Sequence, residues 1–154
     1  MKLYLVQHGE AEAADVDPER PLTAGGREAV SSLAGLLGAR RIRIDHILHS
    51  GKHRALQTAT ILAESIRPGI ALEVRNGIAP MDTPAVIAEE IGHWQEDTLI
   101  VGHLPFMAKL ATLLVSDRED PPIVGFTPGT VLCLEHTASG DWQINWMLRP
   151  ELLG

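Results

Sequence analysis

Short, wholly apolar runs separated by longer stretches of helical period limit most strongly what this chain can fold into. Residues 3–6 and 98–101 are continuous runs of the kind that buried central strands carry, without the alternation of a strand that has one wet face. Residues 44–48 read as a further strand and 71–74 as a weaker one. Between them lie helical segments. Leu22-Thr23 opens the first, with Thr23 as N-cap and Val30, Leu33, Leu36 and Leu37 at helical spacing, and Gly38 is the expected stop. Residues 52–66 form a second, ended by Pro68-Gly69. Thr83-Pro84 starts a third that runs to about residue 94, and 104–115 carries a fourth apolar stripe.

The segment 116–128 is charged and proline-rich, hence a loop. Strands at 130–135 and 142–148 flank the turn Thr137-Ala138-Ser139-Gly140, which suits a hairpin. The resulting order is β-α-β-α-β-α-β-α-β-β. It predicts an α/β fold, a three-layer α/β/α sandwich with a mostly parallel central sheet and an antiparallel C-terminal hairpin. Neither an internal repeat nor a low-complexity tract divides the chain, so 1–154 reads as one domain.

Composition narrows the function classes. The net charge of −7 argues against a nucleic-acid partner, and no apolar run approaches the roughly 18 residues of a membrane helix. The single cysteine, Cys133, lies in the strand-like run Val131-Leu132-Cys133-Leu134 and has no intramolecular partner. A reducing, cytoplasmic location is the expectation.

Polar residues collect at the ends of the predicted strands. His8-Gly9 follows the first, Ser50 the second and His103 the fourth, with Arg54 in the first turn of the next helix. Ligands of open α/β sheets bind beyond the carboxyl ends of the strands, so two histidines and an arginine placed there make an anion pocket. Gly9, Gly51 and Gly102 fit either close approach to that anion or plain strand-end turns. Other chemistry is poorly supported. His46, His93 and His136 have no local pattern, and His49 with His53 lacks the H-E-x-x-H or cysteine pairs of a zinc site, so no metal is expected. Ser50 has no G-x-S-x-G around it and reads as a helix cap. Trp94, Trp142 and Trp146 read as packing anchors.

Four motifs in order carry a family resemblance over nearly the whole chain. Val6-Gln7-His8-Gly9-Glu10 resembles the Arg-His-Gly motif of the histidine phosphatase superfamily, the phosphoglycerate-mutase-like fold. Arg20-Pro21-Leu22-Thr23 with Gly26 resembles its PLT-x-x-G segment. His49-Ser50-Gly51-Lys52-His53-Arg54-Ala55-Leu56-Gln57-Thr58-Ala59 resembles SP-x-x-R-A-x-Q-T-A, with Gly51 in place of proline. Gly102-His103-Leu104-Pro105 resembles the motif of the second histidine. The short chain, the Asp120-Pro121-Pro122 loop and the closing Asn145-Trp146 are similar to the SixA-like phosphohistidine phosphatases.

That resemblance implies a role for each matching residue. His8 is the nucleophile, forming a covalent phosphohistidine enzyme that water hydrolyses, with its other ring nitrogen donating to a backbone carbonyl. Gln7, Arg54 and His103 bind the phosphoryl oxygens with His8, and no cofactor or metal takes part. The implied partner is a phosphohistidine-bearing protein such as a phosphotransfer domain in signal transduction, with inorganic phosphate or another anion fitting the same pocket. The short segment between the third and fourth strands leaves no room for the lid of sugar-phosphate enzymes.

Two departures shape the expectation. Gln7 stands where the family has arginine, so it donates hydrogen bonds without charge. Gly77 stands where related phosphatases place a glutamate general acid, and Asp82 is the nearby weak substitute. A leaving imidazole departs neutral without an acid, whereas an alkoxide needs one, which favours phosphohistidine over esters. Two alternatives stand beside the phosphohistidine phosphatase: a phosphate- or phosphoprotein-binding module of low turnover because of Gln7, and a small-molecule phosphomonoesterase.

Overall fold

The computed structural model describes residues 1–153. Six strands form one sheet in the order β3-β2-β4-β1-β5-β6: β1 Lys2–Gln7, β2 His46–His49, β3 Leu72–Val74, β4 Thr98–Gly102, β5 Val131–His136 and β6 Trp142–Leu148. β1, β2, β3 and β4 run parallel, and β5 and β6 add an antiparallel hairpin beside β1. Four helices cover the sheet: α1 Ala24–Ala39, α2 His53–Ile66, α3 Pro84–Ile91 and α4 Phe106–Ser116. The predicted three-layer sandwich is the observed one.

Strand periodicity explains the layers. Tyr4, Val6, Ile47, Leu99, Val101 and Cys133 pack on one face with α1 and α2, while Leu3, Leu5, Leu48, Ile100, Leu132 and Leu134 pack on the other with α3 and α4. Successive side chains of a strand point to opposite faces, so a strand covered on both sides must be apolar at every position. Each fully buried leucine or isoleucine contributes about 1.5–3 kcal/mol by leaving water. The tryptophans serve as anchors: Trp146 packs against the first cluster, 5.9 Å from the Tyr4 ring, and Trp94 and Trp142 pack against the second.

Helix ends depart from the sequence expectation in instructive places. Thr23 caps α1 as expected, its hydroxyl accepting the Gly26 amide, but α1 runs through Gly38. A Cβ on Gly38 would lie 2.4 Å from the Ser65 carbonyl oxygen, so this glycine lets α1 cross α2 closely and is no stop signal. α3 ends at Ile91, short of Trp94, with Gly92 as its C-cap. α2 begins at His53 with Lys52 as N-cap and no capping side chain, so Ser50 is not the cap of that helix. Its hydroxyl is engaged elsewhere.

Candidate active site

The carboxyl ends of β1, β2 and β4 lie side by side, with Gln7 opposite Gly102 and His49 opposite Val101. His8, Ser50 and His103 leave those ends in adjacent places. The His8 amide donates to the Gly102 carbonyl at 3.0 Å, and the Gly129 amide reaches the carbonyls of Gln7 and His8 at 3.0 and 3.1 Å. Backbone pairing thus extends past β1 and fixes His8 from both sides.

Gln7, His8, Arg54 and His103 all line one cavity of about 430 Å³, together with Glu10, Ala11, Arg20, Pro80, Leu104 and Pro128. A larger hollow of about 610 Å³ lies beyond Glu10 and Pro128, but it carries Glu10, Glu28 and Glu151 and no basic residue, the wrong sign for an anion.

Within the smaller cavity, His8 Nδ1 lies 2.7 Å from the Gly9 carbonyl oxygen. A carbonyl only accepts, so Nδ1 carries the ring hydrogen and Nε2 keeps its lone pair. Burial lowers the His8 pKa to about 4, with Arg54 and Arg20 adding to that and the Gly9 bond opposing it. The His103 ring centroid is 5.0 Å from that of His8. Its pKa falls to about 3, through burial first and then the charges of His8, Arg54, Lys52 and Arg20. Both imidazoles are therefore neutral at pH 7, one of them with a free nucleophilic nitrogen.

Three cavity residues hold buried polar atoms with no partner among the described residues: Gln7 Oε1, Arg54 Nε and His103 Nδ1. Unsatisfied buried atoms cost about 1–3 kcal/mol each, so their gathering in one cavity marks a place built for a polar ligand. Two guanidinium groups, Arg54 and Arg20, face it, and each disfavours charge on the neighbouring groups. Such a site suits a compact oxyanion.

Several residues named in the sequence motifs have supporting roles that sequence reasoning did not assign. Arg20 lines the cavity from a loop where it adopts φ +47°, with Nε donating to the Glu12 carbonyl at 3.0 Å. That left-handed backbone has no sequence signature outside glycine and asparagine. Ser50 Oγ lies 2.6 Å from His103 Nε2. Thr58, fully buried, accepts the Gly9 amide at 2.9 Å and donates to the Arg54 carbonyl at 2.8 Å. Gln57 accepts the Leu22 amide at 2.7 Å. Asp82 takes another place: its carboxylate accepts the Ala79 amide at 2.8 Å in a local turn, and it does not line the cavity. Gly9 and Gly102 answer to packing, since a Cβ on either would meet Val30 or Met107 at 2.8 and 2.7 Å.

His46 lies apart between Glu73 and Glu96, at 3.4 and 3.2 Å. No helix among the described residues is long and apolar enough to cross a membrane, and those residues include no group of three or more metal-ligating side chains.

A family model for the histidine phosphatase superfamily (branch 1) matches residues 3–86. The phosphohistidine phosphatase SixA of Escherichia coli K12 is 25% identical over 155 residues, covering 97% of this chain and 94% of that protein. A structure of the protein histidine phosphatase SixA complexed with tungstate matches with a TM-score of 0.88 at 23% identity, over 100% of both chains. A mycobacterial glucosyl-3-phosphoglycerate phosphatase has the same fold at a TM-score of 0.72 and 16% identity, over 94% of this chain and 96% of that one.

Proposed function

Since the chain belongs to the histidine phosphatase superfamily (branch 1), we propose that it removes the phosphoryl group from phosphohistidine on a partner protein, with His8 as nucleophile. The observation that carries this reading is the pairing of a neutral His8, held through Nδ1 by the Gly9 carbonyl, with unpartnered Arg54 and His103 nitrogens in the same cavity. The similarity to SixA proteins, named for phosphohistidine and in one case holding tungstate, supports it.

His8 Nε2 attacks phosphorus in line. The new N–P bond forms as the bond to the substrate imidazole breaks, and that imidazole leaves neutral because its far nitrogen already carries a proton. Arg54, Arg20 and the Gln7 amide group hold the three equatorial oxygens, where charge spreads in the transition state. His103 Nδ1–H donates to the same phosphoryl group. Water then attacks the phosphoenzyme, an O–P bond replaces the N–P bond, dihydrogen phosphate leaves, and His8 regains its Nε2 lone pair. No step calls for a metal.

Substrate choice follows from the missing acid. Gly77 occupies the position after β3, and Asp82 is bound into the turn at Ala79. A leaving group that needs no proton suits such a site. With a net charge of −7 the protein has no long-range attraction for acidic partners, so recognition is local to the cavity rim.

Glu10 supports a second reading. It is the carboxylate in the cavity lining, with Oε1 accepting the Thr23 hydroxyl at 2.8 Å, and an acid there would let the site cleave small phosphate esters.

The test is phosphate release from a phosphohistidine-bearing phosphotransfer domain by wild type and His8→Ala, with and without a chelator, beside an alkyl phosphate. Release that requires His8 and survives chelation is expected. Phosphate binding without release would make the chain a binding module, and equal turnover of the alkyl ester, lost in Glu10→Gln, would make it an esterase.

A further inference from the structure

We infer that Ser50 is a positioning residue that fixes the ring and tautomer of His103, an inference that rests on the phosphatase reading of the same cavity. The Ser50 hydroxyl is 2.6 Å from His103 Nε2, and the Lys52 amide donates to the same oxygen at 3.4 Å. A hydroxyl that accepts from a backbone amide keeps its own hydrogen to give. In the inferred arrangement that hydrogen goes to Nε2, which confines the ring hydrogen of neutral His103 to Nδ1. Nδ1 is the atom left buried and unpartnered, so the serine decides which nitrogen of His103 is a donor toward a phosphoryl oxygen.

The turn that carries Ser50 is itself held from the core. His49 is 3% exposed at the end of β2, and its Nδ1 accepts the Gly51 amide at 3.1 Å. Gly51 sits at φ +88°. The proline of the family pattern has no N–H to give and a φ fixed near about −65°, so it could adopt neither feature. This chain has exchanged a ring-stiffened turn for a hydrogen-bonded one. Contacts then run without a gap from His49 through Gly51 and Ser50 to His103.

Nothing in the α2 capping competes for the serine, because Lys52 is the N-cap and no side chain caps that helix. Ser50 is thus free to serve the ring.

The test reads the ring nitrogens of His103 by ¹⁵N NMR in wild type, Ser50→Ala and Ser50→Thr. Wild type and Ser50→Thr should show the Nδ1–H tautomer, and Ser50→Ala a mixture of both. On a phosphohistidine substrate, kcat should fall about ten-fold in Ser50→Ala and recover in Ser50→Thr, and inorganic phosphate affinity should fall and recover with it. An unchanged tautomer and kcat in Ser50→Ala would overturn the inference. Should Ser50→Ala not fold, Ser50→Thr decides: loss of the Nδ1–H tautomer there overturns it equally. Wild type without turnover would instead remove the phosphatase reading, while the spectra still report on Ser50.

Discussion

The rings of His8 and His103 lie 5.0 Å apart, tilted by 53°, and neither carries charge at neutral pH. Burial holds the two pKa values at about 4 and about 3, with Arg54 and Arg20 pressing in the same direction. In the unfolded chain both return to the ordinary histidine value of 6.5. Between that value and the folded ones the unfolded state binds more protons than the folded state, so these two groups leave stability unchanged above pH 6.5 and lower it as the pH drops toward 4 and 3. A proton NMR titration should give midpoints near about 4 for His8 and about 3 for His103, while His46, beside Glu96 and Glu73, titrates above its ordinary value. Inorganic phosphate should raise both low midpoints by offsetting the arginines. Midpoints near 6.5 for both would mean that the cavity does not control its histidines.

Thr58 ties two parts of the site together. Its hydroxyl accepts the amide of Gly9, next to the nucleophile, and donates to the carbonyl of Arg54 on its own helix. The isosteric Thr58→Val keeps the packing and leaves the Gly9 amide unpaired in a buried place. The cost should be about 1–3 kcal/mol in urea unfolding, with lower phosphate release, because His8 and Arg54 lose their common brace. A variant as stable and as active as wild type would show that the loop after β1 is held adequately by the Gly102 and Gly129 bonds alone.

These contacts show how far the sequence could be read. The layers were legible because strands buried on both faces must be apolar throughout, as residues 3–6 and 98–101 are. His8, Arg54 and His103 were placed by their positions at strand ends and by the motifs around them, and they do line one cavity. Ser50 was misread because a serine before a helix is a common cap, and only the geometry shows the hydroxyl turned toward His103. Gly38 was misread because a stop and a close helix crossing favour the same residue. Thr58 and Gln57 stand in the motif around Arg54, but their roles were not legible, since their partners Gly9 and Leu22 are distant in sequence.

Arg20 brings the second guanidinium to the cavity from a non-glycine backbone at φ +47°. Its Nε is occupied by the Glu12 carbonyl, so the outer nitrogens of the group are those free to meet an anion. Arg20→Gln should weaken inorganic phosphate or tungstate binding about ten- to a hundred-fold by calorimetry, a charge-assisted contact contributing about 1.5–3 kcal/mol. Arg20→Lys should recover only part, because it restores the charge but not the anchored fork. Unchanged affinity in Arg20→Gln would confine the anion site to Arg54 and the histidines.

Gln7 offers the most informative substitution. It ends β1, its amide donating to the Thr130 carbonyl and its carbonyl accepting from Gly129, so the backbone there is fixed whichever side chain it bears. The residue is 8% exposed, and Oε1 is buried without a partner among the described residues. Arginine has no acceptor, so Gln7→Arg removes that orphan oxygen and places a third guanidinium beside Arg54 and Arg20. The added charge disfavours the free protein slightly and favours a phosphoryl group strongly, most of all in the transition state. Turnover of a phosphohistidine protein should rise about ten- to a hundred-fold, the kinetic equivalent of roughly 1–3 kcal/mol, with the unfolding midpoint the same or lower. A large gain in kcat over a slow wild type would identify Gln7 as the residue that limits this site. Equal rates would show that Arg20 already supplies the charge that position 7 lacks, and the double variant Gln7→Arg with Arg20→Gln should then match wild type.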